Sequence, residues 1–204
     1  MIRPLLCLSL GAVLLAGSPV YAQEVDLEKQ AMKLHAMVGG DTCESPDRLQ
    51  DPEDAYGSWT FSYLPTYAGA GEPETEITLF QIFCRAGAYN LVHRFYTYDE
   101  SEGLKPVSFA VPSFDAEYDG DSGLDGTLKR VTITGFKGEM ELINSMFDSE
   151  TLTVTAHGLW RGVGDASDDG TWAFDNGQWV LKRYEVDASY DGEINPETIV
   201  DYTK

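Results

Sequence analysis

The chain is poor in positive charge: 14 Lys and Arg stand against 34 Asp and Glu, a formal net charge of −20 over 204 residues. A surface of that sign repels backbone phosphates, which excludes nucleic acid as a partner and disfavours anionic membranes. Cations, basic proteins and uncharged ligands remain. Histidine is scarce too. His35, His93 and His157 lie far apart without the paired spacing of a zinc site, so transition-metal catalysis has no basis in the pattern. A serine hydrolase would need one of these histidines beside its nucleophile, and no glycine-flanked serine elbow stands out. After the first two dozen residues, no apolar run approaches the roughly eighteen residues of a membrane span.

The N-terminus carries Arg3, the apolar run Leu5 to Ala16 and the small-residue site Val20-Tyr21-Ala22, the pattern of a secretory signal peptide. We therefore expect residues 1–22 to be a signal and 23–204 to form a single β-rich domain in an exported protein. Cys7 falls inside the apolar core of the signal, too early for a lipoprotein cleavage site. Cys43 and Cys84 then remain, an even number in a compartment where disulfides persist. Two readings are open, a bridge or two separate buried thiols, and we predict the bridge. Closing that loop stabilises the fold by about 4 kcal/mol in the chain-entropy picture.

One clear helix is expected, with Asp26 as N-cap, Leu27, Ala31, Leu34 and Val38 at helical spacing, and Gly39-Gly40 as its end. His35 on this helix is expected at the surface. Beyond it the period changes to two. Trp59, Phe61 and Tyr63 alternate with small polar residues. Glu76 to Cys84 and Tyr89 to Tyr98 read as a central hairpin, in which His93 is expected to be a satisfied sheet residue. Val107, Phe109 and Val111 alternate up to Pro112, and the acidic stretch Asp115 to Gly126 reads as a loop. Val131 and Ile133, then Met140 to Phe147, then Leu152, Val154 and Ala156 read as further strands. Asn176-Gly177 predicts a two-residue hairpin turn that sets Phe174 opposite Trp179 and Trp172 opposite Leu181, with all four on one face. The expected fold is mainly β: an antiparallel sheet sandwich or open barrel with one N-terminal helix.

Asp119, Asp121 and Asp125 place oxygen donors at alternate positions of a glycine-bearing loop, which a hard cation such as calcium accepts. A plain solvated loop explains the same residues, because Gly126 stands where an EF-hand loop places its closing Glu. The acidic stretch Asp165 to Gly170 reads as a similar turn. Among the aromatics, Trp59, Trp172 and Trp179 fall on the apolar side of alternating strands and read as core. Trp160 differs, preceding Arg161-Gly162-Val163-Gly164-Asp165 in a segment read as flexible, so Trp160, Arg161 and Asp165 are the candidate partner-binding residues.

Cys84-Arg85-Ala86-Gly87-Ala88-Tyr89-Asn90, Arg161-Gly162-Val163-Gly164-Asp165, Gly170 to Asp175 and Val180-Leu181-Lys182-Arg183-Tyr184 resemble the domain of unknown function 1176 family of exported Gram-negative proteins. The likeness runs from about Cys43 to Ser189. The family carries one cysteine directly after the Gly-Asp and another after the last strand; here Ala166 and about Ser189 stand in those places. The resemblance implies a periplasmic setting, one lost bridge and no known activity. With no nucleophile, metal or cofactor motif, the expected function is a non-catalytic periplasmic binding or protein-interaction module, without cofactor unless calcium binds. A basic envelope protein or an uncharged ligand is its expected partner. The alternatives are a calcium-dependent structural module and, third, a hydrolase of envelope polymers that uses two carboxylates in a cleft.

Overall fold

The computed structural model describes residues 26–45, 49, 51, 54–120 and 126–203. The expected signal segment, Asp121 and Asp125 lie outside these residues. Helix α1 spans Leu27–Gly39, opened by Asp26, whose side chain accepts from the Lys29 N–H at 3.0 Å, and closed by Gly40 at φ 51°. A short 3-10 turn, Gly40–Thr42, follows it.

Twelve strands complete the described residues: β1 Tyr56–Tyr63, β2 Thr75–Ala86, β3 Leu91–Asp99, β4 Gly103–Pro106, β5 Phe109–Tyr118, β6 Leu128–Glu139, β7 Glu141–Ile143, β8 Met146–Asp148, β9 Thr153–Leu159, β10 Ser167–Asp175, β11 Gln178–Asp187 and β12 Glu197–Asp201. They form two five-stranded sheets and a two-stranded ribbon, all antiparallel. The first sheet runs β1-β2-β3, with β4 and β7 sharing the far side of β3; the second runs β12-β11-β10-β9-β8; the ribbon is β5-β6. Among the described residues the assembly is mainly β with one α-helix, as the alternation predicts, and the sheets do not close into a barrel.

The main core lies between the inner faces of the two sheets and the ribbon, where Leu79, Phe95, Phe109, Val154, Trp172 and Val186 are buried together. Aromatic edges stitch the layers. Phe61 meets Phe147 and Phe174, Trp179 meets Phe109, Phe147 and Phe174, and Phe109 meets Phe95 and Trp172, at centroid separations of 5.0 to 6.0 Å. A smaller core forms on the outer face of the first sheet, where Ala31 of α1 packs on Phe80, Ile82 and Tyr96.

The Asn176-Gly177 turn has the expected register. Both residues have positive φ (48° and 85°), Phe174 pairs with Trp179 and Trp172 with Leu181, and Trp172 and Trp179 both join the main core. Cys43 and Cys84 are bonded, tying the end of α1 to β2. Cys84 occupies the bulge between Phe83 and Arg85, so the bridge is made where the β2–β3 ladder is already interrupted.

Four expectations are corrected. His35 is buried, its Nδ1 lying 3.1 Å from the Tyr96 hydroxyl, because the helix face it shares with Ala31 is the one laid on the sheet. Pro112 does not end its strand: β5 continues to Tyr118, since it pairs with β6 alone and an edge strand tolerates a residue without an N–H. Asp115 to Tyr118 are therefore strand, with Asp115 and Glu117 opposite Thr132 and Arg130. The acidic stretch after Asp165 is not a turn either, because Ser167 to Gly170 begin β10 and pair on both sides.

Candidate functional site

The segment between β9 and β10 is short and held at many points. The Trp160 N–H donates to the Ala166 carbonyl (2.9 Å) and the Gly164 N–H to the Arg161 carbonyl (3.1 Å), a turn that needs Gly164 at φ 83°. Arg161 grips Asp165 with two donors, Nε to Oδ1 at 2.5 Å and Nη2 to Oδ2, and also reaches the Tyr190 carbonyl at 2.8 Å. Asp165 is fully buried and accepts the Gly192 N–H at 2.7 Å. These bonds, those from Arg161 first, hold its carboxyl down at about 2. Ala166 is fully buried beside it. Charge and hydrogen bonds thus join this segment to the one that holds Tyr190 and Gly192.

Trp160 is fixed as firmly. Its ring stacks on Phe114 at 6.0 Å and 14°, Tyr190 tilts against it at 6.1 Å, and its indole N–H donates to Asp168 at 2.6 Å. The expectation of a flexible segment is therefore corrected: these contacts pin it. Asp168 also accepts the Tyr184 hydroxyl at 2.5 Å. Burial first, then the Asp168 charge, pushes the Tyr184 phenol well above its usual range, so it stays a donor. Gly158 makes room, because a Cβ there would stand 2.6 Å from the carboxylate.

The structure thus brings Trp160, Arg161 and Asp165 into one cluster with different parts. Asp165 is interior, Arg161 lies over the Tyr190 ring at 5.3 Å, and Trp160 is 36% exposed. Sequence reading missed two neighbours. Val163 is 70% exposed, and Tyr89, 56% exposed, lies over Gly162, where any Cβ would collide with its ring. Asn90 explains the approach: its side chain donates to the Leu159 carbonyl (2.8 Å) and accepts the Leu159 N–H (3.2 Å), fastening the β2–β3 turn to the end of β9. The Ala-Tyr-Asn triplet carried that signal, but its partner strand was not visible locally.

Tyr190 is shared with a cleft of about 510 Å³ that also includes Leu128, Asp187, Asp191, Asn195 and Glu197. Asp187 is interior, bound by Ser189 and Asn195, while Asp191 and Glu197 face solvent. Backbone donation from Glu193 holds the Asp191 carboxyl below its usual value. The opening carries one aromatic ring and exposed carboxylates.

The other candidate residues resolve separately. Asp119, the one member of the calcium triad within the described residues, pairs with Lys129 at 2.6 Å. No group of three or more potential metal ligands occurs among the described residues. His157 pairs with Asp169 at 2.6 Å on the surface. A concavity of about 280 Å³ where the sheets meet the ribbon has Glu139, Glu141 and Asp168 in its walls. Burial pushes the Glu141 carboxyl up, but Arg94 (2.5 Å) and Arg85 (2.8 Å) outweigh it and bring it below the ordinary value. A carboxylate so bound lacks the proton a general acid must donate.

Residues 74–194 match the model of a family described as Protein of unknown function (DUF1176). The chain belongs to this family. Among curated proteins it is similar to the uncharacterised protein YpfG of Escherichia coli K12, 24% identical over 164 residues. The similarity covers 75% of this chain and 42% of YpfG, so the chain spans less than half the length of that relative. No solved structure matches it. No helix among the described residues is long and apolar enough to cross a membrane.

Proposed function

We propose that the protein is an interaction module of the periplasm that receives a basic protein at the Trp160 corner and the adjoining acidic cleft. The carrying observation is the indole of Trp160, part exposed yet immobilised by Phe114 and Asp168. An aromatic anchor already held in place loses little entropy on binding, which is the character of interface hot spots. Asp191 and Glu197, in the cleft that shares Tyr190 with this corner, favour a Lys or Arg of the partner. The net charge of −20 steers such a partner from a distance. The signal-like N-terminus supports the compartment.

Lysozyme, as a basic envelope-acting probe, titrated onto the immobilised protein tests this reading. Binding should be saturable, weaken by about ten-fold or more between about 50 and 300 mM salt, and fall again in Trp160→Ala. Affinity indifferent to salt, or to Trp160→Ala, would refute the proposal.

A further inference from the structure

Away from the Trp160 corner, the chain passes from the first sheet to the second through two residues, Asn144 and Ser145, between β7 and β8. Asn144 takes a left-handed backbone, φ 44°, and is fastened on every side. Its N–H donates to the Leu91 carbonyl (2.7 Å), its Oδ1 accepts the Leu91 N–H (2.8 Å), and its Nδ2 donates to Asn90 and to the His157 carbonyl (both 3.0 Å). Gln81 then donates to the Ser145 carbonyl at 3.0 Å. The strained turn is held rigid from several elements, which is how a fold presents a side chain in one orientation.

That side chain is a hydroxyl beside an imidazole. Ser145 Oγ lies 3.4 Å from His93 Nδ1, and His93 Nε2 lies 2.9 Å from the Asp54 carbonyl. A carbonyl only accepts, so Nε2 bears the proton and Nδ1 offers its lone pair to the serine. Burial holds His93 below the usual imidazole value, against the weaker opposing effect of Asp54, so it is neutral at physiological pH. Both residues line a cavity of about 480 Å³ whose walls include Tyr56, Trp59, Met146 and Phe147 together with the polar Asp54, Ser58 and Gln81. Trp59 is spread across Gly57, where any Cβ would collide with the ring, and this opens the wall. A hydrogen bond that merely satisfied a buried histidine would not require the pair to face an aromatic cavity of ligand size.

We propose that Ser145 is an acyl-accepting nucleophile with His93 as its base, in a pocket suited to an uncharged ester with an apolar acyl group. Ser145 Oγ attacks the ester carbonyl while its proton passes to His93 Nδ1. The bond to the alcohol breaks, and His93 returns that proton to the leaving oxygen. Water then repeats the exchange at the acyl-serine, releasing the carboxylic acid and restoring the hydroxyl. The arrangement meets the condition that no histidine spacing in the sequence could: one of the three histidines stands beside a serine.

Covalent capture is the primary readout, because fast turnover also needs oxyanion donors that neither residue supplies. The full chain is treated with an alkyl fluorophosphonate and the adduct mapped by peptide mass spectrometry. One adduct is expected, on Ser145, absent in Ser145→Ala and formed about a hundred-fold more slowly in His93→Gln. Circular dichroism of each variant separates loss of chemistry from loss of fold, and the site of the wild-type adduct needs no variant. Labelling that persists to lower pH than a free imidazole would allow also supports the pair. No adduct on the wild-type chain, an adduct mapped elsewhere, or a Ser145 adduct whose rate a folded His93→Gln leaves unchanged would overturn the assignment.

Discussion

Gly57-Ser58-Trp59-Thr60-Phe61 of β1 and Gly170-Thr171-Trp172-Ala173-Phe174 of β10 are nearly the same five residues, one in each sheet. In both, the indole lies back across the glycine two positions earlier, and a Cβ on that glycine would collide with the ring. The outcomes differ. β10 runs between β9 and β11, so Trp172 is 1% exposed and its N–H finds the Ala110 carbonyl of the ribbon at 2.8 Å. β1 ends its sheet, so Trp59 is only part buried and walls the Ser145 cavity. The same local chemistry makes a core pillar in one place and a pocket wall in the other, and strand position alone separates them.

The ways each sheet is pinned near these motifs also differ. Cys43–Cys84 ties the first sheet to α1, whereas Arg161 and Asp165 tie the second sheet to the segment holding Tyr190 and Gly192. A covalent tie is indifferent to pH in the acid range. An ion pair is not.

The strongest test of the comparison is Trp172→Ala, which should cost about 3–5 kcal/mol in denaturant unfolding, through the cavity left and the Ala110 carbonyl left unpaired. A cost near that of Trp59→Ala would break the distinction between pillar and wall. Next, Asp165→Asn should lower the melting temperature at neutral pH. The carboxyl is held at about 2 against an ordinary 3.8, so its ionised form favours folding above about pH 4. That contribution fades as pH falls through 3.8 toward about 2, and the wild-type and variant melting curves should converge there. A gap that stays constant with pH would show that the pin is not electrostatic. The smallest effect on stability belongs to Trp59→Ala, about 2 kcal/mol, because a ring left partly exposed loses less burial. The same change should alter fluorophosphonate capture at Ser145, whereas Trp172→Ala acts there only by unfolding.

Much of the frame could be read from residues in order. The Asp26 cap, the period-two aromatics and the Asn176-Gly177 register are local, since each depends on neighbours within one turn or one hairpin. The Cys43–Cys84 bond was expected from an even pair of cysteines beyond the signal-like segment, and the structure has it. The candidate site was read in part. Trp160, Arg161 and Asp165 were close in sequence, and the structure gathers them, but their partners Phe114, Tyr190, Gly192 and Tyr89 come from three distant segments. Nothing near Asp165 says that it is buried, and an acidic run reads as a loop until a second strand pairs with it.

Alternation, caps and turn chemistry therefore determined by themselves that this chain makes antiparallel strands with one apolar face, because those preferences act over a few residues. Which strand lies at an edge, which carboxylate is buried, and which serine meets a histidine were decided only when the two sheets closed on each other. Those contacts join residues tens of positions apart, 27 between Asp165 and Gly192 and 52 between Ser145 and His93, and the periodicity of a strand states which face is apolar without naming what will cover it.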